Sequence, residues 1–345
     1  MKTVIHEIGV AQHWRKLYVG DPAIGEPALI ELLPASLAQP IRLTRFPDGE
    51  PTRSLGMFDA VRSAVIVALR GDHDNRKAWS HARLTRKSIT GPAFRYYGGK
   101  YRLGEWIIEQ LPKHDHYVEP FGGAASVLLR KAPSKVETLN DLNDHIVNYF
   151  QVLRDRPEEL VNQILLTPWS RREYENAFAP VDDPVERARR FWVRMAEGIA
   201  PAPQAKGWRC VKRDPGKMSE FANRLKCMQN LYAVAERLRS VQIECLPALD
   251  VVQKYDDPET LFYVDPPYVA ETRSQTQRYA IEWSDDDHRQ LAELLRKVEG
   301  MVVLSGYRCD LYDELYAGWT RREKRAGGNS GSSRIECLWL SPGIA

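Results

Sequence analysis

No apolar stretch in this 345-residue chain approaches the length that crosses a bilayer, and the opening MKTVIHEIGVAQHW interrupts its short apolar run with His6 and Glu7. A membrane span and a signal peptide are therefore not expected, and a cytoplasmic protein is. Cysteine is scarce: Cys210, Cys227, Cys245, Cys309 and Cys337 are odd in number and widely spaced, with no Cys-x-x-Cys pair and no histidine at zinc-ligand spacing. That argues against a disulfide framework and a structural zinc, and no metal is expected. Charge of one sign is also in short supply, since a formal net charge of +3 is too small to name a polyanionic partner by itself. Internal repeats, low-complexity tracts and the Gly-x-Gly-x-x-Gly dinucleotide fingerprint are absent. What is there is an ordinary globular composition, 43% apolar and 28% charged, long enough to form one large domain or two.

The charge is unevenly placed. Between Pro201 and Asn230 stand Lys206, Arg209, Lys212, Arg213, Lys217, Arg224 and Lys226 against Asp214 and Glu220, a run that reads either as a solvated face or as a phosphate-facing patch. The first 90 residues are punctuated by Pro and Gly around one apolar segment, Val61 to Leu69, and show no recognisable chemistry. The make-up of KSITGPA, residues 87–93, predicts a linker. Beyond it, strands are expected at 117–119, 136–139, 241–246, 261–264 and 301–305. Between them the pattern predicts a helix starting over 126–130, a long helical stretch through HIVNYFQVLRDRPEELVNQILL, and a helix around 285–298. Residues 168–240 read as helical and basic, with Trp169, Trp192 and Trp208 as core, and REKRAGGNSGSSRIECLWL as a hairpin. Strands alternating with helices predict an α/β fold with a mostly parallel sheet covered on both faces.

Ligands of such sheets bind beyond the carboxyl ends of strands, which puts weight on three places. In YVEPFGGAASVLL, Gly122 and Gly123 let the backbone turn tightly and approach a ligand, although a plain strand-to-helix turn would use the same glycines. In ETLNDLN, Asp141 lies 22 residues beyond Glu119, near the spacing of an acid that accepts hydrogen bonds from ribose hydroxyls; capping of the next helix is the alternative. In YVDPPYV, Pro266 and Pro267 have no N–H and leave carbonyls outside the ladder, Asp265 adds an acceptor, and Tyr268 adds a flat surface. Two acceptors beside an aromatic face suit a planar group bearing an amine, such as a nucleobase. If Asp265 and the Pro266 carbonyl each take one amine hydrogen, the nitrogen lone pair is freed from the ring and can be aimed at an electrophile.

The ordered set FRYYGGKYRL (94–103), YVEPFGG and Asp-Pro-Pro-Tyr resembles the Dam-like DNA adenine N6-methyltransferases over roughly 94–341. The resemblance implies a Rossmann-like, seven-stranded methyltransferase sheet ending in a β-hairpin, with S-adenosyl-L-methionine as cofactor and double-stranded DNA with a flipped adenine as substrate. It makes Tyr96, Lys100, Glu119, Phe121, Gly122, Gly123, Asp141 and Asp265 cofactor contacts. Asp265, Pro266 and Tyr268 become the catalytic set, with Tyr268 stacked on the adenine. Taken without the family, Lys100 would read as a surface lysine in a turn.

A base held in such a pocket has left the duplex, so basic surface is needed nearby. Lys206, Arg209, Lys212, Arg213, Arg325 and Arg334 are the residues expected to meet DNA. The implied layout is an extension of unassigned role (1–90), a cofactor-binding half (91–165), a helical target-recognition insertion (166–240) and a catalytic half (241–345). The setting implied is the cytoplasm of a bacterial or phage-infected cell. Ala125 stands where the family's loop usually ends in Gly, and QAKGWRCVKRDPGKMSEF replaces the pattern of GATC-reading members. Rival expectations are methylation of another planar amine (cytosine N4, an RNA base or a protein glutamine) and a catalytically silent DNA-binding module.

Overall fold

The computed structural model describes residues 4–8, 14–20, 33–34, 89–199, 207–210, 230–272, 282–327 and 333–344. The chain divides into Met1–Thr85 and Arg86–Ala345. In the first unit β1 (Val4–Ile8), β2 (Trp14–Gly20) and β3 (Leu33–Pro34) form an antiparallel sheet. The apolar segment 61–69 lies outside the described residues.

The second unit is built on seven strands: β4 (His116–Glu119), β5 (Val136–Asn140), β6 (Val241–Glu244), β7 (Thr260–Val264), β8 (Met301–Gly306), β9 (Thr320–Gly327) and β10 (Ser333–Leu340). Their spatial order is β6-β5-β4-β7-β8-β10-β9, parallel from β6 to β8, with β10 antiparallel to both β8 and β9. Successive residues of the central strands feed opposite faces. Tyr117, Leu261, Tyr263 and Val303 enter one core, while Val118, Phe262, Val264, Val302 and Leu304 enter the other. Burial on both sides is why TLFYV is apolar without alternation.

The helices are α1 (Gly104–Ile108), α2 (Asp144–Asp155), α3 (Pro157–Leu166), α4 (Arg171–Asn176), α5 (Pro184–Glu197), α6 (Ala248–Lys254), α7 (Asp285–Leu295) and α8 (Asp310–Leu315), with residues 230–238 also helical. One expectation is refined and one corrected. The long helical stretch after Asp141 is divided into two helices, because Arg156 leaves helical geometry at φ −132°, ψ 49° and Pro157, lacking an N–H, opens a new helix at its first position. Residues 126–130 form hydrogen-bonded turns rather than a helix. The segment 89–93 is fastened to this unit: the Asn230 side chain accepts from the Thr90 and Gly91 amides and donates to the Gly91 and Pro92 carbonyls.

The helices between β5 and β6 do not form a separate core. Phe191 of α5 meets Phe94 at 4.9 Å and Tyr149 at 5.6 Å, within the same cluster as Leu139 and Tyr117. Trp192 is buried there too, whereas Trp169 donates to the Arg209 carbonyl and Trp208 to Glu197.

Candidate active site

The chain moves outward from β4 through β5 to β6, then returns to the other side of β4 with β7. The strand order therefore reverses between β4 and β7, and the loops leaving their carboxyl ends must part and open a crevice. A cleft of about 920 Å³ lies there, lined by Tyr96, Lys100, Glu119, Phe121, Gly122, Gly123, Asp141 and Asp265 among others. The structure thus brings together every residue expected to meet the cofactor.

The wall after β4 is backbone. A Cβ on Gly122 would meet Leu139 Cδ1 at 2.5 Å and the Asn140 carbonyl at 2.8 Å, so only glycine lets the loop lie against β5. Gly123 has φ +50°, and Ala125 holds the left-handed region at φ +52° despite its side chain. Asp141 pins this loop: one carboxylate oxygen accepts from the Gly123 amide at 2.8 Å, the other from the Asn143 amide at 2.8 Å. Asn143, not Asp141, caps α2, accepting from the His145 amide. Burial pushes the Asp141 carboxyl up to about 6, against the pull of those two amides. Glu119 is buried at 2% exposure; Tyr117 Oη and the Leu128 amide donate to one of its oxygens, and burial raises it to about 7. Burial and the Asp141 carboxylate push the Tyr96 phenol up. Trp283, which no sequence reading picked out, faces Phe121 edge-on at 5.0 Å and completes the apolar part of the lining.

The other wall follows β7. The Lys100 ammonium lies 2.9 Å from Asp265 Oδ1 and donates to Oδ2 at 3.0 Å, with the Gly98 carbonyl as its third neighbour. Lys100 is 5% exposed, so it is no surface lysine. Burial opposes its charge, but Asp265 and Glu336 outweigh burial and its pKa rises. The Asp265 carboxyl is also raised, by burial first, with Lys100 pulling the other way. Among the described residues nothing donates to the Pro266 carbonyl. Tyr268 is only 5% exposed and does not line the cleft. Lys100 Nζ stands 4.6 Å from its ring centroid, Tyr307 packs edge-on at 4.7 Å, and its hydroxyl bonds Ser305 Oγ at 2.8 Å and donates to Glu336 at 2.9 Å. Glu336 and Ser305, from β10 and β8, are thus members of the site that only the fold brings in.

Of the residues expected to meet DNA, Lys206, Lys212 and Arg213 lie outside the described residues. Arg209 is packed inside the insertion, donating to the Ala196 carbonyl with its guanidinium 5.2 Å from the Trp169 ring. Arg325 is exposed on β9, and Arg334 pairs with Ala326 in the β9–β10 ladder. Among the described residues no group of His, Cys, Asp or Glu is arranged to hold a metal ion, and no helix is long and apolar enough to cross a membrane.

The sequence pattern of the D12 class N6 adenine-specific DNA methyltransferases matches residues 96–326. The chain belongs to this family. A type II methyltransferase of Methanocaldococcus jannaschii, M.MjaIII, is 24% identical over 265 residues, covering 66% of this chain and 88% of its own. DNA adenine methylase of Escherichia coli is 27% identical over 221 residues, covering 60% and 75%. A solved SAM dependent methyltransferase from Agrobacterium tumefaciens aligns with 70% of this chain and 60% of its own at 12% identity and a TM-score of 0.29, too slight a likeness to add to the strand order itself. As a D12-class enzyme the protein transfers a methyl group from S-adenosylmethionine to the exocyclic N6 of adenine in DNA. The cleft suits that cofactor: a glycine wall that lies close against β5, buried carboxylates that can face hydroxyl and ammonium donors, and an apolar Phe121–Trp283 pair that can face a purine.

Proposed function

We propose that this D12-class enzyme flips its target adenine out of the DNA duplex into the space now held by the Lys100 side chain. One observation carries the reading. The Lys100 ammonium sits between the two Asp265 oxygens and over the Tyr268 ring, where an adenine amine would sit if its ring stacked on Tyr268. Withdrawal of Lys100 uncovers the carboxylate and the aromatic face together. Asp265 then accepts one N6 hydrogen and the Pro266 carbonyl the other, which turns the nitrogen lone pair out of the ring. Ser305 and Glu336 fix the Tyr268 hydroxyl, so the ring that receives the base cannot swing with it.

On the opposite wall Asp141 accepts from the ribose hydroxyls, Glu119 faces the ammonium end, and Phe121 with Trp283 holds the purine of the cofactor. S-adenosylmethionine supplies the electrophilic methyl group. The residues on either side of the β4/β7 crevice then bring amine and methyl into line, and positioning is the main source of acceleration. Arg325 and Arg334 on the β9–β10 hairpin, and the basic stretch from Lys206 to Arg213, are proposed to track phosphates. A DNA substrate supports the reading that the enzyme works in the cytoplasm of a bacterial or phage-infected cell.

Asp265→Ala tests the reading. Transfer of labelled methyl to DNA should fall by at least about 10³-fold, with nucleoside analysis of wild-type product placing the label on N6 of adenine. Normal turnover by the variant would remove Asp265 from the chemistry. A base analogue whose fluorescence rises on unstacking, placed at the target adenine, should brighten on binding if the base is extruded.

A further inference from the structure

A second cleft, of about 690 Å³, lies between the start of α2 and the helices α4 and α5. His145, two residues beyond the Asn143 that lines the main cleft, forms one wall, and Phe178, Arg187, Arg190 and Arg194 form the other. Arginines spaced three and four apart on α5 share one face of the helix, so the cluster follows directly from ERARRFWVR. Two of the three are neutralised within the protein. Arg187 pairs with Asp144 at 2.8 Å and donates to Asn148. Arg190 pairs with Glu186 at 2.7 Å and donates to the Ala179 carbonyl. Glu186 also carries Arg189, which has Glu173 as a second carboxylate.

Arg194 is different. No carboxylate among the described residues lies within ion-pair distance of it, and its buried Nε, like that of Arg187, has no acceptor. The Phe178 and Phe191 rings flank its guanidinium at 5.6 and 5.8 Å, fixing it without offering a lone pair. Burial pulls its pKa below the ordinary arginine range. His145 is pushed down by burial, then by Arg194 and Arg187, while Asp144 pulls it the other way. A half-buried guanidinium whose Nε has no acceptor is relieved by an oxyanion, for which its planar fork is suited.

We propose that this cleft docks a backbone phosphate of the DNA strand next to the target adenine, with Arg194 as the principal contact and Arg187 in support. The inference rests on the DNA substrate assigned above and adds a contact that the basic run at 206–213 did not anticipate. It places the strand along the insertion side of the β4/β7 crevice rather than only under the hairpin.

Binding of a labelled duplex, followed by anisotropy over a salt series, tests this with wild type, Arg194→Gln, Arg194→Lys and Arg187→Gln. Arg194→Gln should weaken binding by about three- to tenfold whatever the sequence and lower the slope of log K against log salt by about 1. Arg194→Lys keeps the charge and should keep the slope. Affinity for S-adenosylmethionine and the melting temperature should not change in the Lys variant. An unaltered slope in folded Arg194→Gln would overturn the proposal, as would equal losses in the Gln and Lys variants, which would mark a packing role. A wild type that binds and methylates DNA while Arg194→Gln matches it sinks this inference alone; a wild type that labels no N6 of adenine sinks the reading beneath it.

Discussion

Asp141 and Asp265 follow strands on either side of β4, both are raised by burial, and yet their partners differ in kind. Asp141 is gripped by two backbone amides of its own sheet edge, Gly123 and Asn143, which cannot leave without unmaking the loop. Asp265 is gripped by an ammonium on a flexible side chain from a segment 165 residues away. The cofactor wall is therefore set before any ligand arrives, whereas the substrate wall is held by a group that can be exchanged for another amine. One carboxylate is built to stay and the other to change partners.

Lys100→Gln gives the largest contrast. Removing the ammonium leaves the Asp265 carboxylate buried beside Glu336, and stability should fall by about 3 kcal/mol in thermal or urea denaturation. The sign with pH is set by the raised Asp265 carboxyl. A folded pKa above the unfolded one gives stability that is present at acid pH and lost as pH rises through the folded value. The deficit of the variant should therefore be smallest near pH 4 and grow toward neutrality. A deficit independent of pH would show that Lys100 acts by packing and not by pairing.

Next in size is the pH dependence of cofactor binding. Burial raises the Asp141 carboxyl to about 6, so calorimetric affinity for S-adenosylmethionine should tighten as pH rises through 6 and level off only once Glu119 has also ionised, above about 7. Below that point the expected loss approaches about tenfold per pH unit. Glu119, at about 7, faces the same cleft, and Asp141→Asn separates the two by removing only the lower step. The smallest effect belongs to Ala125→Gly. Relief of the left-handed strain at φ +52° outweighs the added freedom of the unfolded chain, so melting should shift upward by no more than about 1 kcal/mol in stability.

The parts of the site legible in the sequence are those written locally. Glycines that must touch a neighbouring strand, an acid just past a strand end and a proline pair all announce themselves within a few residues, and Gly122, Asp141 and Asp265 do line one cleft. Glu336, Ser305 and Trp283 were not legible, because each becomes part of the site through strand order and not through any motif around it. Charge was legible only as a count. The run after Pro201 drew attention as a count of cations, while Arg194 stands out only once its neighbours' carboxylates are seen to be shared among other arginines. The break at Pro157 was legible in principle, since a proline between two apolar repeats marks the first turn of a new helix.

The pairing of β4 with β7 joins His116 to Thr260 across 144 positions of chain. A polypeptide leaving the ribosome therefore exposes the inner edge of β4 throughout synthesis of the insertion, and the stretch around Thr90 waits equally long for Asn230 to fasten it. Until then a nascent half-sheet carries an open, apolar edge that any stray strand could occupy. Chaperone dependence during translation, relieved once β7 emerges, is the behaviour we expect of this strand order.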